Sequence, residues 1–446
     1  MIKVTERTAR STYKLLTQSE SGGELMIRLL IIADDFTGGL DTGVQFASRG
    51  IPACVLTNPE ENFEKAAGEC EVLVVVAETR HLPPDKAYDA VFTVARKGME
   101  LGAEHLYKKT DSALRGNIGA ELTAMANACG VSLLPFIPAL PAMNRVTRGG
   151  IHYIDNVPVA ESVFGRDPFE PVKESDVAQL ITLQSSLPAA VAVPGTLDQS
   201  RGIAVIDAET DEDLLRAADE IGRIGNLRVS AGCAGFASVL PGLLHLVRRS
   251  IPQLPKLDPG LFVLCGSVNP ITQRQLDHGE KHGYKRVHIP PQIKLYPEKI
   301  RAEEFNPALQ EWKQKMETVP WMILDANDTD PRNEETAALA KAQGMNVEDI
   351  RQRISGSLGL ILSSLTESDI PRTMLITGGD TLLTGMNLLK VYQMIPLAEA
   401  APGVVISQVS LHGRPRYVIT KSGGFGSETL LSDLKKLIET QSAPDA

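Results

Sequence analysis

No run of this 446-residue chain is long and apolar enough to suggest a membrane span, and the first 25 residues lack the apolar core of a secretory signal. Those absences suggest a cytoplasmic protein without a membrane partner, and its cysteines fit that reading. Cys54, Cys70, Cys129, Cys233 and Cys265 are widely spaced, odd in number and without a CxxC pair, as expected of reduced, mostly buried thiols. The eight histidines form no HExxH or similar cluster, so no zinc site is expected. Neither GxxxxGK[ST] nor GxGxxG occurs, which removes the Walker loop and the dinucleotide fingerprint. Basic excess is missing too. With 45 Lys and Arg against 55 Asp and Glu, the formal charge is -10, which argues against a nucleic-acid partner. Small anions are not excluded, because local Lys and Arg clusters can oppose the global sign.

What is present is ordinary globular composition, 43% apolar and 22% charged. The length exceeds what one core serves, so two domains of roughly 200 residues are expected. Residues 1–25 form a polar leader with the composition of a disordered segment, and Met26 directly before the first apolar run reads as an alternative start. Ile251-Pro-Gln-Leu-Pro-Lys-Leu-Asp-Pro-Gly260, with three prolines and a glycine, reads as a linker. The expected layout is a domain over 26–250, a linker over 251–260 and a second domain over 261–446.

Leu29 to Ala33 are too few for a helix, and their continuous apolarity suits a parallel strand covered on both faces. Asp34 to Gly39 then form a turn, with a helix from Asp41 to Ser48. Successive strand residues point to opposite sides, so at most one of Asp34 and Asp35 is expected to face a ligand while the other caps Thr37 or nearby backbone; the alternative is that both are turn and capping residues. Further short apolar runs at Pro52–Leu56, Val72–Ala77, His105–Lys108 and Leu133–Ile137 alternate with helical stretches at Glu61–Ala67 and Pro84–Leu101. The fold class predicted is α/β, with a mainly parallel sheet flanked by helices in each domain. Pro138 to Gly150 reads as a loop, and Asp155-Asn156 as the turn of a hairpin that serves either as a lid reaching with Asn144 and Arg145 or as a structural arm.

In open α/β sheets ligands bind at the carboxyl ends of strands. Arg80 lies there, as do Lys109, Asp111, Ser112 and Arg115. Together with Asp35 these suit a polyhydroxylated acid, with cations on its carboxylate and Asp35 and Asp111 accepting from its hydroxyls. The alternative is a surface ion-pair network with an Asp or Ser helix cap. In the second half, turns at Gly266-Ser267, Gly378-Gly379 and Gly423-Gly424 follow strands and precede helices. Free N–H groups and the helix dipole make each an anion site, and three together suit a nucleotide's phosphates. Asp380 and Thr381 offer oxygens to magnesium or its waters, unless Asp380 is only a helix cap. Lys421 would offset charge on a transferring phosphoryl group.

Ala33-Asp-Asp-Phe-Thr-Gly-Gly with Asp41, Tyr107-Lys-Lys-Thr-Asp-Ser with Leu-Arg-Gly-Asn117, the Pro138-Ala-Leu-Pro-Ala region, Gly378-Gly-Asp-Thr381, Ala401-Pro-Gly403 and Lys421-Ser-Gly-Gly-Phe-Gly426 together resemble the four-carbon acid sugar kinases. The resemblance runs from about Met26 to the C-terminal helix. It implies a two-domain α/β kinase with a ligand cleft between the domains. The first domain would hold threonate, erythronate or a 3-oxo-tetronate, the second ATP, and the 4-hydroxyl would be phosphorylated. Carried over by position, the substrate contacts are Asp35, Arg80, Lys109, Thr110, Asp111 and Ser112; the ATP contacts are Ser267, Gly378, Gly379, Asp380, Thr381 and Gly423. The family usually has Thr where this chain has Ala113, and often Ser where Asn269 stands. Asp35 or Asp111 is expected to take the hydroxyl proton, or Asp380 if it resembles the acid after the glycines in other sugar kinases. A homo-oligomer is compatible with all of this. The competing class is a sensor that binds acid and nucleotide without chemistry, which both glycine turns and Asp380 disfavour. A dinucleotide oxidoreductase lacks its fingerprint.

Overall fold

The alternation of short apolar runs and helical stretches takes shape in a computed structural model of the chain, which describes residues 27–442 apart from 62, 168–169, 226–227, 247–252, 303–304 and 330–333. The polar leader, Met26 and the first two residues of the expected linker lie outside the described residues. The chain separates into two compact units, divided between Pro252 and Gln253.

In the first unit β1 (Leu29–Ala33), β2 (Ala53–Leu56), β3 (Val72–Val76), β4 (His105–Lys109) and β5 (Leu133–Ile137) alternate with helices Phe36–Ala47, Phe63–Ala67, Pro84–Glu100 and Ile118–Cys129. After β6 (Arg145–Arg148), β7 (Ile151–Ile154) and β8 (Val157–Pro158), the chain returns through β9 (Ala189–Val191), β10 (Gly202–Val205) and β11 (Val229–Gly232). The main sheet runs β2-β3-β1-β4-β11-β5-β10-β9, every pair parallel. The interior strand β1 is at most 1% exposed at any residue, which accounts for its uninterrupted apolarity. Ala33 pairs with Val76 on one side and Lys109 on the other, so the ends of β3, β1 and β4 lie side by side.

Two expectations change here. The first helix begins at Phe36 rather than Asp41, because Asp35 takes an extended backbone and its carboxylate accepts from Gly38 N at 3.1 Å, capping the helix early. The Pro138–Gly150 stretch is not a plain loop. Its last residues form β6, joined to β7 through Gly149 and Gly150 at φ +59° and +77°, the left-handed pair that a two-residue hairpin turn requires. The Asp155-Asn156 turn follows as expected, both residues also at positive φ, and β6, β7 and β8 make a separate antiparallel sheet.

Between β4 and helix Ile118–Cys129 lies an ion pair with no solvent exposure, Lys108 Nζ to Glu121 Oε2 at 2.9 Å. Its ammonium also donates to the Lys109 carbonyl at 2.7 Å. Taking two charges out of water is costly, and the close partner offsets that cost.

The second unit carries β12 (Leu261–Cys265), β13 (Lys285–His288), β14 (Trp321–Asp325), β15 (Thr373–Thr377), β16 (Gln393–Ala401), β17 (Val404–Leu411) and β18 (Arg414–Lys421). Its order is β13-β14-β12-β15-β18-β17-β16; β17 runs antiparallel to both its neighbours and the other pairs are parallel. The β16–β17 hairpin is absent from the reading of the sequence. Pro396 and two register shifts in β16 weaken its strand pattern. Helices Pro270–Lys281, Val347–Thr366, Gly379–Leu388 and Leu430–Ser442 are among those that accompany this sheet. β12, β15 and β18 are neighbours, so the ends that deliver the three glycine turns are adjacent.

Candidate functional site

In the first unit, the parallel register of β3, β1 and β4 gathers the charged residues that follow each strand. Arg80 is the hub. Its Nε donates to Asp34 Oδ2 at 2.8 Å and its Nη1 to Asp35 Oδ2 at 3.1 Å, while Nη2 lies 2.7 Å from Asp34 Oδ2 and 2.8 Å from Asp35 Oδ1. Both aspartates therefore face the same guanidinium. Asp35 does cap, accepting from Thr37 Oγ1 at 2.9 Å as well as from Gly38 N, but the expected opposition of the two side chains fails because β1 ends at Ala33 and the strand alternation stops there.

A second group stands beside it. Arg115 donates through Nε and Nη2 to the two oxygens of Asp111, at 2.7 and 3.1 Å, and through Nη1 to Asp167 at 3.4 Å. This two-point fork is the geometry that favours Arg over Lys at a carboxylate. The seam between the groups is narrow, with Arg80 Nη2 3.9 Å from Asp111 Oδ1. Lys109 Nζ donates to the Thr110 carbonyl at 2.7 Å and lies 3.7 Å from Asp34 Oδ1. From the antiparallel arm, Arg145 donates to Ser112 Oγ, and the Arg115 and Arg145 guanidiniums lie 5.2 and 5.1 Å from the Phe164 ring centre. His152 pins the same loop, with Nε2 2.9 Å from the Ser112 carbonyl and Nδ1 3.0 Å from Thr147 Oγ1.

Burial pushes the Asp35 and Asp111 carboxyls upward, but Arg80 and Lys109 around the first, and Arg115 and Arg80 around the second, outweigh it. Asp35 is held below the usual carboxylate range and Asp111 well below it. Lys109 is held up despite burial by Asp34 and Asp35. The arrangement thus sets four carboxylates, Asp34, Asp35, Asp111 and Asp167, among four cations, Arg80, Lys109, Arg115 and Arg145. Two buried acceptors in it, Asp34 Oδ1 and Thr110 Oγ1, have no hydrogen-bond partner among the described residues. Such atoms invite a ligand hydroxyl. Phe164 and Asp167 were not singled out in the sequence, because nothing local marks which residues a distant turn will meet.

In the second unit the glycine turns pack on one another. Gly378 adopts φ +109°, open to glycine, and a Cβ on Gly423 would come within 2.8 Å of Ser267 Oγ. Gly378 precedes helix Gly379–Leu388 and Asn269 caps helix Pro270–Lys281 through Ile271 N, so two turns do open helices. The third does not. Gly426 at φ +81°, with Gln275 donating to the Phe425 and Ser427 carbonyls at 3.1 and 2.8 Å, keeps the chain out of a helix until Leu430, six residues past Gly424.

Lys421 is 2% exposed and its ammonium is turned into this turn, donating to Thr272 Oγ1 at 2.9 Å and to the Ser422 and Gly423 carbonyls at 3.0 Å each. Burial lowers it to about 8. Through these bonds Lys421 shapes the turn. Thr272, not picked out from the sequence, passes that hydrogen bond on to the Gly423 carbonyl at 2.9 Å. Asp380 is not the helix cap. It lies in the first turn of its helix and its Oδ2 accepts from Arg351 Nη1 at 2.7 Å. Thr381 is buried, its hydroxyl packed against Gly266. Among the described residues, no group of three or more His, Cys, Asp and Glu is arranged to hold a metal.

Residues 29–240 match the model of a sugar-binding N-terminal domain and residues 262–431 that of a nucleotide-binding C-terminal domain. The chain is 30% identical to the D-threonate kinase of Salmonella typhimurium over 93% of its own length and 99% of that protein's. It is also 30% identical to the D-erythronate kinase of Heliobacterium modesticaldum, over 56% of this chain and 60% of the other. A crystal structure from Salmonella typhimurium superposes with a TM-score of 0.75 at 22% identity, covering 92% of this chain and 100% of that one, a likeness of fold. With both domain models matched in order and a 30% identical kinase aligned almost end to end, this chain belongs to the four-carbon acid sugar kinase family.

Proposed function

We propose that this kinase transfers the terminal phosphoryl group of ATP to the 4-hydroxyl of threonate, erythronate or a 3-oxo-tetronate. In this reading the first unit holds the acid and the second the nucleotide. One observation supports the acid site above the others: Arg80, Lys109, Arg115 and Arg145 converge on one polar cluster in which Asp34 Oδ1 and Thr110 Oγ1 have no hydrogen-bond partner among the described residues. A carboxylate suits the cations, and hydroxyls suit Asp34 Oδ1, Thr110 Oγ1 and the aspartates.

Asp35 and Asp111 are ionised at neutral pH and held low, which makes them weak proton acceptors. Their role is to orient the attacking hydroxyl and take its proton late. Loose phosphoryl-transfer transition states need little more than position and compensating charge. On the nucleotide side, the N–H groups around Ser267, Gly378 and Gly379 and the turn at Gly423 and Gly424 cradle phosphates, with Lys421 and Thr272 holding the last turn in shape.

Magnesium brought in by the phosphates takes few protein ligands, and the residues here fit such an ion. Asp380, 44% exposed with one oxygen held by Arg351, would bind it directly or through water, with Thr381 beside it; the ion would draw charge from the phosphates. The test is ADP release with D-threonate, D-erythronate, L-threonate and 3-oxo-tetronates. Turnover of one or more is expected, and none from the whole set would remove the substrate assignment.

A further inference from the structure

Asn117 occupies the position that begins helix Ile118–Cys129, yet its side chain makes no cap on that helix. An asparagine there normally satisfies a free N–H of its own first turn. Here the amide reaches across to the loop after β3, with Nδ2 donating to the Thr79 carbonyl at 2.9 Å and the Leu82 carbonyl at 2.7 Å, and 3.5 Å from that of Arg80. It is 6% exposed, so these bonds form away from water. The residue before it presses on the same loop. Gly116 sits at φ +87°, and a Cβ there would come within 3.0 Å of Arg80 Cγ and 3.3 Å of Arg80 Cα and carbonyl.

The loop is held from its other side as well. Thr79 N and Arg80 N both donate to the Asp34 carbonyl, at 3.0 and 3.3 Å, and Glu78 is forced to φ +48°. Gln184 in turn fixes the Gly116 segment, donating to the Gly116 carbonyl at 3.3 Å and accepting from Gly119 N at 3.0 Å. Asn117 therefore joins the loop that carries Arg80, with Asp34 and Asp35, to the loop that carries Asp111 and Arg115. The gap those loops enclose is the 3.9 Å seam between Arg80 and Asp111.

We infer that Asn117 is a positioning residue: through its side-chain amide it sets the placement of Arg80 against Asp111, and so the fit of the sugar acid. This rests on the first unit being the acid site. A side chain that keeps the shape but loses the donors shifts the loop and weakens acid binding, leaving the nucleotide turns untouched.

The test uses the full-length enzyme with Asn117→Ala and Asn117→Asp. For Asn117→Ala the KM for the turned-over acid should rise about tenfold, with the KM for ATP within twofold, in line with the loss of two buried hydrogen bonds. Asn117→Asp presents a carboxylate to two carbonyl oxygens, and protonation restores one donor. Its acid KM should fall toward the wild-type value as pH drops from 8 to 5.5, a trend the alanine form does not show. Equal KM values in wild type and Asn117→Ala, a pH-independent Asn117→Asp, or failure of both variants to fold would each overturn the inference. Amide exchange at Arg80 and Leu82 reads the clamp without substrate and should quicken in Asn117→Ala. A wild type inert toward every four-carbon acid would thus fault the substrate assignment while the exchange result still decides this one.

Discussion

Lys421 Nζ lies 2.9 Å from Thr272 Oγ1, and that hydroxyl donates to the carbonyl of Gly423, so one buried ammonium fixes the last glycine turn both directly and through a neighbour. Burial holds the lysine down to about 8. Because the folded value is below the ordinary 10.5, the fold favours the neutral amine, and this group's contribution to stability rises as pH goes from about 8 to 10.5. Nucleotide affinity should move the opposite way, falling as pH rises through 8 and the amine loses its positive charge and a proton. Calorimetry of ATP binding at pH 8.5 in buffers of different ionisation enthalpy should show proton uptake, and no uptake would detach Lys421 from the phosphates. Lys421→Met should raise the KM for ATP on the order of tenfold or more and leave the KM for the acid unchanged.

Arg115 grips both oxygens of Asp111, a geometry lysine cannot reproduce. Arg115→Lys should raise the KM for the sugar acid about tenfold, with little change in that for ATP. Steady-state kinetics varying each substrate in turn reads the division of labour. An equal loss for both would contradict it.

Asp380 and Arg351 form a half-exposed pair at the start of helix Gly379–Leu388. Exposed pairs add little to stability, so Asp380→Asn should leave the melting temperature nearly unchanged. It should lower kcat about a hundredfold and raise the magnesium concentration needed for half-maximal rate. Unchanged turnover would remove Asp380 from the mechanism.

His152 is buried between Thr147 and the Ser112 carbonyl, and burial lowers it to about 4 from the ordinary 6.5. A histidine kept neutral by the fold contributes stability that is complete above pH 6.5 and is lost as pH falls toward 4. The loss is on the order of 3 kcal/mol from this group. Urea melts of wild type and His152→Gln at pH 7.5 and 5 should show the wild type losing more stability over that interval; equal losses would show that His152 does not titrate there.

The strands of the first unit were legible because β1, β3 and β5 are covered on both faces and their sequences have no polar interruption. Polar residues directly after them marked the ends where charge gathers, and Arg80 with Asp35 and Lys109 with Asp111 could be placed together from that rule alone. The side of Asp34 could not. Alternation holds only while the strand does, and Asp34 and Asp35 lie past its end at Ala33. Phe164 and Asp167 were invisible for a different reason: they reach Arg115 from about 50 residues away, in and just after a single 3-10 turn (Val163–Arg166) too short to leave a periodic pattern. On the nucleotide side the glycines announced the turns. What they could not announce was Gln275, whose amide ties two carbonyls and denies the third turn its helix, or Arg351, brought to Asp380 by the packing of two helices.

The Lys108–Glu121 pair, sealed between β4 and its covering helix, imposes a constraint on descent. Losing either member alone strands its mate's charge in the interior, a penalty of several kcal/mol, whereas a matched apolar pair of similar volume is tolerated. The two positions should therefore change together: lineages that diverge from this chain are expected to alter both or neither, with a lone substitution at either persisting only where a compensating change sits across from it.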